Sequence, residues 1–324
     1  MESDKISLMV GNFMFRRKKN LETEREQLNE RKKESEVVSQ DKVQTQLIPE
    51  ELFNILGFDL PIEYSERCLE EQKQFFAGIM NVDVYGFKEI THQMAIRQTY
   101  QFINEVLTIC IPQISERNGM ITEFHNSGVN AMFTENLENG IDAAIMICEE
   151  SYKYKASNRS EFAIGLCYGT VMAGLVGHKQ RMSVLTLSPY TGLCTFLQEI
   201  AGRYYSKILI TGNYLKKIPS YEKKYNYRLI GYLYMKAENQ VEEIYDLFDG
   251  DTAEIRNQKR KTKMVFEKGI KLFVQKNYAE ARTYFIEVLK TNHYDAAARE
   301  YVLRCDQYKT AELDSEQSMY IEIY

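Results

Sequence analysis

The sequence predicts an α+β fold: a sheet of ferredoxin-like character with helices packed on one face, followed by an all-α helical hairpin. Three observations carry that expectation. Strand-like and helical runs alternate from about Phe75 to Phe248. Their order opens strand, long helix, strand, turn, strand, helix, a pattern in which helices return over one sheet. Beyond Asp249-Gly250-Asp251 the alternation stops and a purely helical segment follows.

Taken in order, residues 1–46 form a charged N-terminal segment. Its only apolar stretch, Ile6 to Phe15, is ten residues long and contains Gly11 and Asn12. A bilayer crossing needs about 20 residues, so no membrane span is expected. The basic cluster Arg16 to Lys19 follows the apolar run, the reverse of a secretory signal, and leaves only a weak interfacial anchor as a membrane role. Residues 20–45 are charged and lack Gly and Pro, as in a solvated helix or linker. Leu21 and Leu28 sit a heptad apart, but no third heptad supports a coiled coil. Residues 47–74 are a lead-in containing a short amphipathic helix, Leu47 to Gly57, opened by Pro49 and closed by Gly57.

Residues 75–250 form the main domain. Strand-like runs lie at Ile79 to Val84, Ile121 to Phe124, Val129 to Phe133, Phe162 to Tyr168, Val171 to Val176, Val184 to Leu187, Ile208 to Ile210, Tyr227 to Tyr234 and Val241 to Leu247. The longest helix covers Thr91 to Arg117, with Ile103, Leu107, Cys110 and Ile114 on one face and a kink expected at Pro112. Further helices run from Ile141 to Tyr154 and from Thr191 to Ala201. Asn126-Ser127-Gly128 and Tyr168-Gly169-Thr170 both read as hairpin turns.

A charged stretch with Lys259, Arg260, Lys261 and Lys263 leads into residues 260–310. Counted from Thr262, Gly269, Leu272, Ala281, Phe285 and Val288 fall at the characteristic positions of one 34-residue tetratricopeptide-like repeat. One helical hairpin cannot bury its own face, so it should pack on the main domain, on the following helix or on a partner. Residues 311–324 are a tail.

Composition narrows the function classes. The 324 residues are 44% hydrophobic, enough for a core, and 46 acidic against 41 basic residues give a net charge of -5. That balance offers no electrostatic reason to expect nucleic acid as a partner. Six cysteines are scattered singly with no CxxC pair, and four histidines are equally dispersed. Buried, reduced thiols in a cytoplasmic protein fit this better than a disulfide framework or a zinc site.

Several motifs in order then resemble the class III adenylate and guanylate cyclases over roughly Leu47 to Phe248. Val82-Asp83-Val84-Tyr85-Gly86-Phe87 resembles the family's first metal-binding motif, Asp-Ile-x-Gly-Phe. Glu123-Phe124-His125-Asn126-Ser127-Gly128 sits where the family carries its second metal Asp in a hairpin. Ala163 to Leu166 and Gly169 to Gly177 are similar to the glycine-rich stretch that follows, and the similarity runs on through Arg181-Met182. The lead-in and the C-terminal helical repeat also resemble the layout of bacterial cyclases.

The resemblance implies two carboxylates holding two divalent ions, which activate the ribose 3'-hydroxyl and neutralise the triphosphate. Asp83 fills the first position, as the possible single ligand of a metal ion. Ser127 fills the second, where a neutral hydroxyl supplies no charge. In the family's Ile-Gly-Asp-x-Val-Asn-Leu-Ala-x-Arg motif, Pro189 here replaces the base-contacting Asp, Gly192 the ribose-orienting Asn and Phe196 the phosphate-stabilising Arg. Glu123 stands at the base-selecting position, without its Asp partner. Tyr85, Gly86 and Phe87 could still offer backbone N–H groups to a phosphate. The catalytic constellation is therefore degenerate at Glu123, Ser127, Pro189, Gly192 and Phe196.

These substitutions imply a cyclase-homology protein that acts as a regulatory or interaction module, with little or no turnover. The alternatives are a divergent active cyclase making cAMP or cGMP, or a nucleotide-binding sensor. No cofactor is expected, with Mg or Mn bound only if nucleotide binding persists. A homodimer through the cyclase-like domain and a protein partner for the C-terminal repeat are the expected associations.

Overall fold

The computed structural model describes residues 72–153, 161–178, 181–236, 239–310 and 322–323. The expected N-terminal segment, the Leu47 to Gly57 helix and most of the tail lie outside the described residues. The first half of the chain runs β1 (Gln72–Val84), α1 (Phe87–Thr91), α2 (Ile96–Ser115), β2 (Met120–His125), β3 (Gly128–Phe133), α3 (Leu137–Lys153), β4 (Phe162–His178) and β5 (Arg181–Leu187). The second half runs α4 (Pro189–Ala201), β6 (Ile208–Thr211), α5 (Gly212–Leu215), α6 (Tyr221–Lys224), β7 (Tyr227–Met235), β8 (Gln240–Leu247), α7 (Ala253–Val274), α8 (Tyr278–Thr291), α9 (Ala296–Thr310) and β9 (Glu322–Ile323).

The strands form one mixed sheet in the order β2-β3-β1-β4-β6-β8-β7-β9, with β5 paired to β4. β1 and β3 are antiparallel, while β4 and β6 are parallel because α4 crosses between them. Among the described residues the chain divides into two compact units: the end of the β4–β5 hairpin, Gly174–Leu185, and the larger unit formed by Lys73–Ala173 with the described residues from Thr186 onward.

Within the larger unit, Met80, Val82 and Val84 of β1 alternate onto a core shared with Phe102, Val106 and Ile114 of α2 and Ile141, Ala144 and Ile147 of α3. Each of the Val, Ile, Met and Phe side chains contributes about 1.5–3 kcal/mol when fully buried. The buried stripe of α2 is Phe102, Val106, Ile109, Cys110 and Ile114, so the expected Ile103–Leu107 edge is only half-buried. The stretch expected as one helix from Thr91 is broken before Ile96, and Pro112 lies in the last turn of α2.

Two expectations are corrected. Helices do not cover one face alone: a Cβ on Gly165 would lie 2.1 Å from the Cys194 carbonyl oxygen, and the Cys194 thiol donates to the Ile79 carbonyl at 3.2 Å. Ile79 and Gly165 alternate with the core-facing Met80 and Ile164, so α4 packs on the opposite face. Nor is Tyr168-Gly169-Thr170 a turn, since β4 runs through it unbroken. Gly169 serves close approach instead, because a Cβ there would lie 2.1 Å from the Tyr190 ring.

The C-terminal helices pack on one another and on β7. Phe285 stacks on Tyr301 at 4.8 Å, and Phe273 meets the same ring edge-on at 5.0 Å. Gly269 lets α7 approach α8 closely, since its Cβ would lie 2.8 Å from the Phe285 ring. The Tyr301 hydroxyl donates to the Ile230 carbonyl at 2.7 Å, fastening α9 to β7. The charged stretch around Lys259 is not a connector but the middle of α7, capped by Thr252. No helix among the described residues is long and apolar enough to cross a membrane.

Candidate functional site

The residues singled out for metal chemistry meet where β1 ends beside the β2–β3 turn. Asp83 pairs in register with Gly128, and β2 returns so that His125 also faces Gly128. Gly128 has no alternative here: a Cβ would lie 1.8 Å from the Val82 carbonyl oxygen. Ser127 is held next to Asp83 because the Val84 N–H donates to the Ser127 carbonyl at 3.1 Å.

The same Val84 N–H lies 2.7 Å from Asp83 Oδ1, so the carboxylate accepts from its own next amide. Among the described residues no group of three or more His, Cys, Asp or Glu side chains is placed to hold a metal ion. Asp83 and the Ser127 carbonyl thus share the Val84 N–H, and the carboxylate has no second acidic group beside it among the described residues.

Glu123 is exposed and engaged nearby. Its Oε2 accepts from Asn130 Nδ2 at 3.1 Å, and Asn130 Oδ1 in turn accepts from Asn81 Nδ2 at 2.6 Å. Asn81 is buried and its own Oδ1 has no hydrogen-bond partner. Sequence reasoning overlooked this polar chain, although two asparagines inside apolar strands were its signal.

Pro189, Gly192 and Phe196 lie on a separate element, the first two turns of α4. Ser188 caps that helix: its Oγ accepts from the Tyr190 N–H at 3.1 Å and donates to the Thr170 carbonyl at 2.7 Å. Pro189 then occupies the first turn, where its missing N–H costs nothing. Pro189 and Gly192 are exposed and Phe196 is half-buried. The Ser-Pro pair is a helix start, without a donor or a charge to offer a base.

Beyond β1, Gly86 adopts φ 70°, the left-handed region, and α1 begins at Phe87. Phe87 stacks on Phe102 at 6.0 Å, while the half-exposed Tyr85 ring lies on bare Gly202, whose Cβ would come within 1.8 Å of it. Tyr85 therefore leans toward the end of α4, and Phe87 toward the core.

The strongest electrostatics lie elsewhere. Arg228 on β7 is fully buried; its Nε donates to Asp246 at 3.0 Å, and its Nη1 and Nη2 donate to the two oxygens of Asp295 at 2.6 and 3.2 Å. Lys259 lies 2.9 Å from Asp246 and 2.7 Å from Asp251. Burial alone would raise the Asp295 pKa, but the Arg228 guanidinium outweighs it and holds the carboxyl below its ordinary range. Burial likewise opposes charge on Lys259, yet Asp246 and Asp251 raise its pKa. Sequence reasoning overlooked Arg228; its signal was a lone charge inside the apolar strand Tyr227–Met235.

No protein-family model matches the chain. In sequence, it is 26% identical over 245 residues to a terminal-differentiation-specific adenylate cyclase of Dictyostelium discoideum, a match covering 72% of this chain and 12% of that protein. An adenylate cyclase of Anabaena cylindrica is 22% identical over 181 residues, covering 52% of this chain and 36% of that protein. The chain thus spans well under two thirds of either relative. In structure, a bacterial light-regulated adenylyl cyclase superposes with a TM-score of 0.55 at 19% identity, covering 70% of this chain and 66% of that one.

Proposed function

We propose that the chain is a degenerate member of the adenylate/guanylate cyclase family acting in intracellular signalling, a reading supported by its similarity to adenylate cyclases in sequence. Its role in this reading is regulatory or protein-interacting, with little or no synthesis of cyclic nucleotide. One observation carries the reading: the hairpin end that would hold two ions offers a single carboxylate, Asp83, beside Ser127, and that carboxylate bonds its own next amide.

The chemistry of the substituted positions supports the same conclusion. Losing one preorganised transition-state donor costs about 10² to 10³ in rate. Here a metal carboxylate, an Asn and an Arg are replaced by Ser127, Gly192 and Phe196, and Pro189 removes the base contact. Such losses do not add, but together they leave very little rate.

The proposed assembly is a head-to-tail homodimer through the cyclase-like domain in the cytoplasm. Exposed Phe124, Met172 and Leu187 supply apolar area for it. Both the metal side and the base side are deficient in this chain, so such pairing completes no site. No resident cofactor is proposed; Mg²⁺ or Mn²⁺ would bind through Asp83 together with any nucleotide held by the Tyr85-Gly86-Phe87 turn. The tetratricopeptide-like helices are proposed to receive a protein partner, with Met264 and Leu303 exposed on them.

The test is a cyclase assay on folded protein with ATP or GTP and with Mg²⁺ or Mn²⁺. The expected product is at background and equal to that of Asp83→Ala. Sustained product well above that control would sink the reading and mean that catalytic groups have relocated.

A further inference from the structure

The outer edge of β7 is covered in two different ways along its length. Near its start the C-terminal helices close it with side chains. The Leu229 N–H donates to Glu267 Oε1 of α7 at 3.0 Å, and the Ile230 carbonyl accepts from the Tyr301 hydroxyl of α9 at 2.7 Å. An unpaired strand edge is a template for any extended chain, and these two bonds blunt it there.

Farther along, the same edge is covered by backbone. β9 ends the sheet and pairs with β7 in parallel, Glu322 opposite Leu233 and Ile323 opposite Tyr234. On the other side of β7, by contrast, β8 follows it from Tyr227 to Met235. β9 is two residues long, whereas a strand ordinarily has about 5–6. So short a pairing adds few ladder bonds, and a longer strand can displace it.

The sequence around β9 indicates what this edge accepts. Residues 319–324 read Met-Tyr-Ile-Glu-Ile-Tyr, without Gly or Pro. Isoleucine and tyrosine are residues that fit a pleated, half-buried surface. Met319, Ile321 and Ile323 alternate with Tyr320, Glu322 and Tyr324, the period of a strand with two different faces. Residue pattern and backbone pairing agree independently.

We propose that the β7 edge at residues 232–235 is a strand-acceptor site for a protein partner. It takes an extended segment of alternating β-branched and aromatic residues, adds it in parallel, and is covered by this chain's own β9 until that segment arrives. Main-chain hydrogen bonds supply the affinity and the alternating side chains the specificity. β9 competes from a linked position, equivalent to a concentration of about millimolar. A second copy offers only the same strand, against which the linked one wins; the occupant is therefore a different chain that pairs over more residues than β9. The acceptor lies at the opposite end of the strand order from the Asp83 hairpin, so the proposal holds whether or not that hairpin catalyses anything.

The experiment compares the full chain with a Glu322→Pro, Ile323→Pro double variant. Successive strand residues face opposite edges, so the two prolines together remove whichever amide pairs with β7. A fluorescent peptide of residues 316–324 is the probe, read by anisotropy. It is expected to bind the double variant at least about tenfold more tightly than the unsubstituted chain, where β9 already fills the edge. Hydrogen exchange locates the contact: amides of residues 232–235 that face β9 should exchange at least about tenfold faster in the double variant and regain protection with the peptide. Glycines at the same two positions weaken the strand and serve if the proline form does not fold. No binding to the uncovered form at about 1 mM, far above specific affinities, overturns the proposal. So does equal binding to both forms, or binding that leaves exchange at residues 232–235 unchanged. A concentration-dependent dimer of the unsubstituted chain that the prolines abolish would assign the edge to a second copy and overturn it too.

Discussion

At the Asp83 end of the sheet, a half-buried carboxylate bonds its own backbone next to a serine, while around Arg228 five charged side chains are buried against one another. The second place is where a folded domain ordinarily avoids charge. Burying an ion is costly unless geometry and hydrogen bonding are good, so the polar groups retained around Arg228 must hold something together. What they join is β7 and β8 to the helices α7 and α9. The difference teaches that the Asp83 edge carries few charges in contact, whereas the junction with the C-terminal helices is tightly specified.

The largest expected effect tests the junction. Arg228→Met should leave Asp295 and Asp246 short of a partner and cost about 3–5 kcal/mol, the range for breaking a buried ion pair from one side. Urea unfolding measures it, and a loss below about 1 kcal/mol, within the range of an exposed pair, would erase the contrast between the two regions.

An intermediate effect sharpens the other side. Ser127→Asp places a second carboxylate beside Asp83, and Mn²⁺ at ten times its dissociation constant should then stabilise the variant by about 1.4 kcal/mol. Thermal melts of the variant and the unsubstituted protein, with and without the ion, give the comparison. If the ion stabilises neither, the edge has lost its metal-holding geometry as well as its charge.

The smallest effect is a pH dependence. Burial raises the Asp251 pKa above its ordinary 3.8, with Lys259 pulling it partly back. The folded chain then binds a proton more readily than the unfolded one, so this group's contribution to stability falls as pH rises from about 3.8 through the raised folded value. Asp251→Asn should remove that component. Denaturant midpoints collected across the acid range detect it, and an unchanged profile would mean that Asp251 titrates alike in both states.

Alternation of strands and helices was legible because period-2 and period-3.6 hydrophobic patterns are local properties of the chain. So were the glycine-rich motifs and the substitutions at Ser127, Pro189, Gly192 and Phe196, which need only motif order. Gly169 was misread because a glycine between two strand-like runs fits a turn and a close packing contact equally well. Only the Tyr190 ring across from it distinguishes the two. The face of α2 was displaced by a residue for a related reason: periodicity defines a stripe, while the sheet beneath decides which edge of it is covered.

By itself, then, the amino-acid order determined the class of fold and its likeness to adenylate cyclases, since these depend on pattern and identity alone. The tertiary structure decided that Arg228, Asp246, Lys259, Asp251 and Asp295 form one buried network, from positions up to 67 residues apart. It also decided that Glu267 and Tyr301 close the β7 edge at Leu229 and Ile230. Whether a charge or an amide is satisfied depends on what stands within about 3 Å of it, and no local pattern in the chain encodes that neighbour.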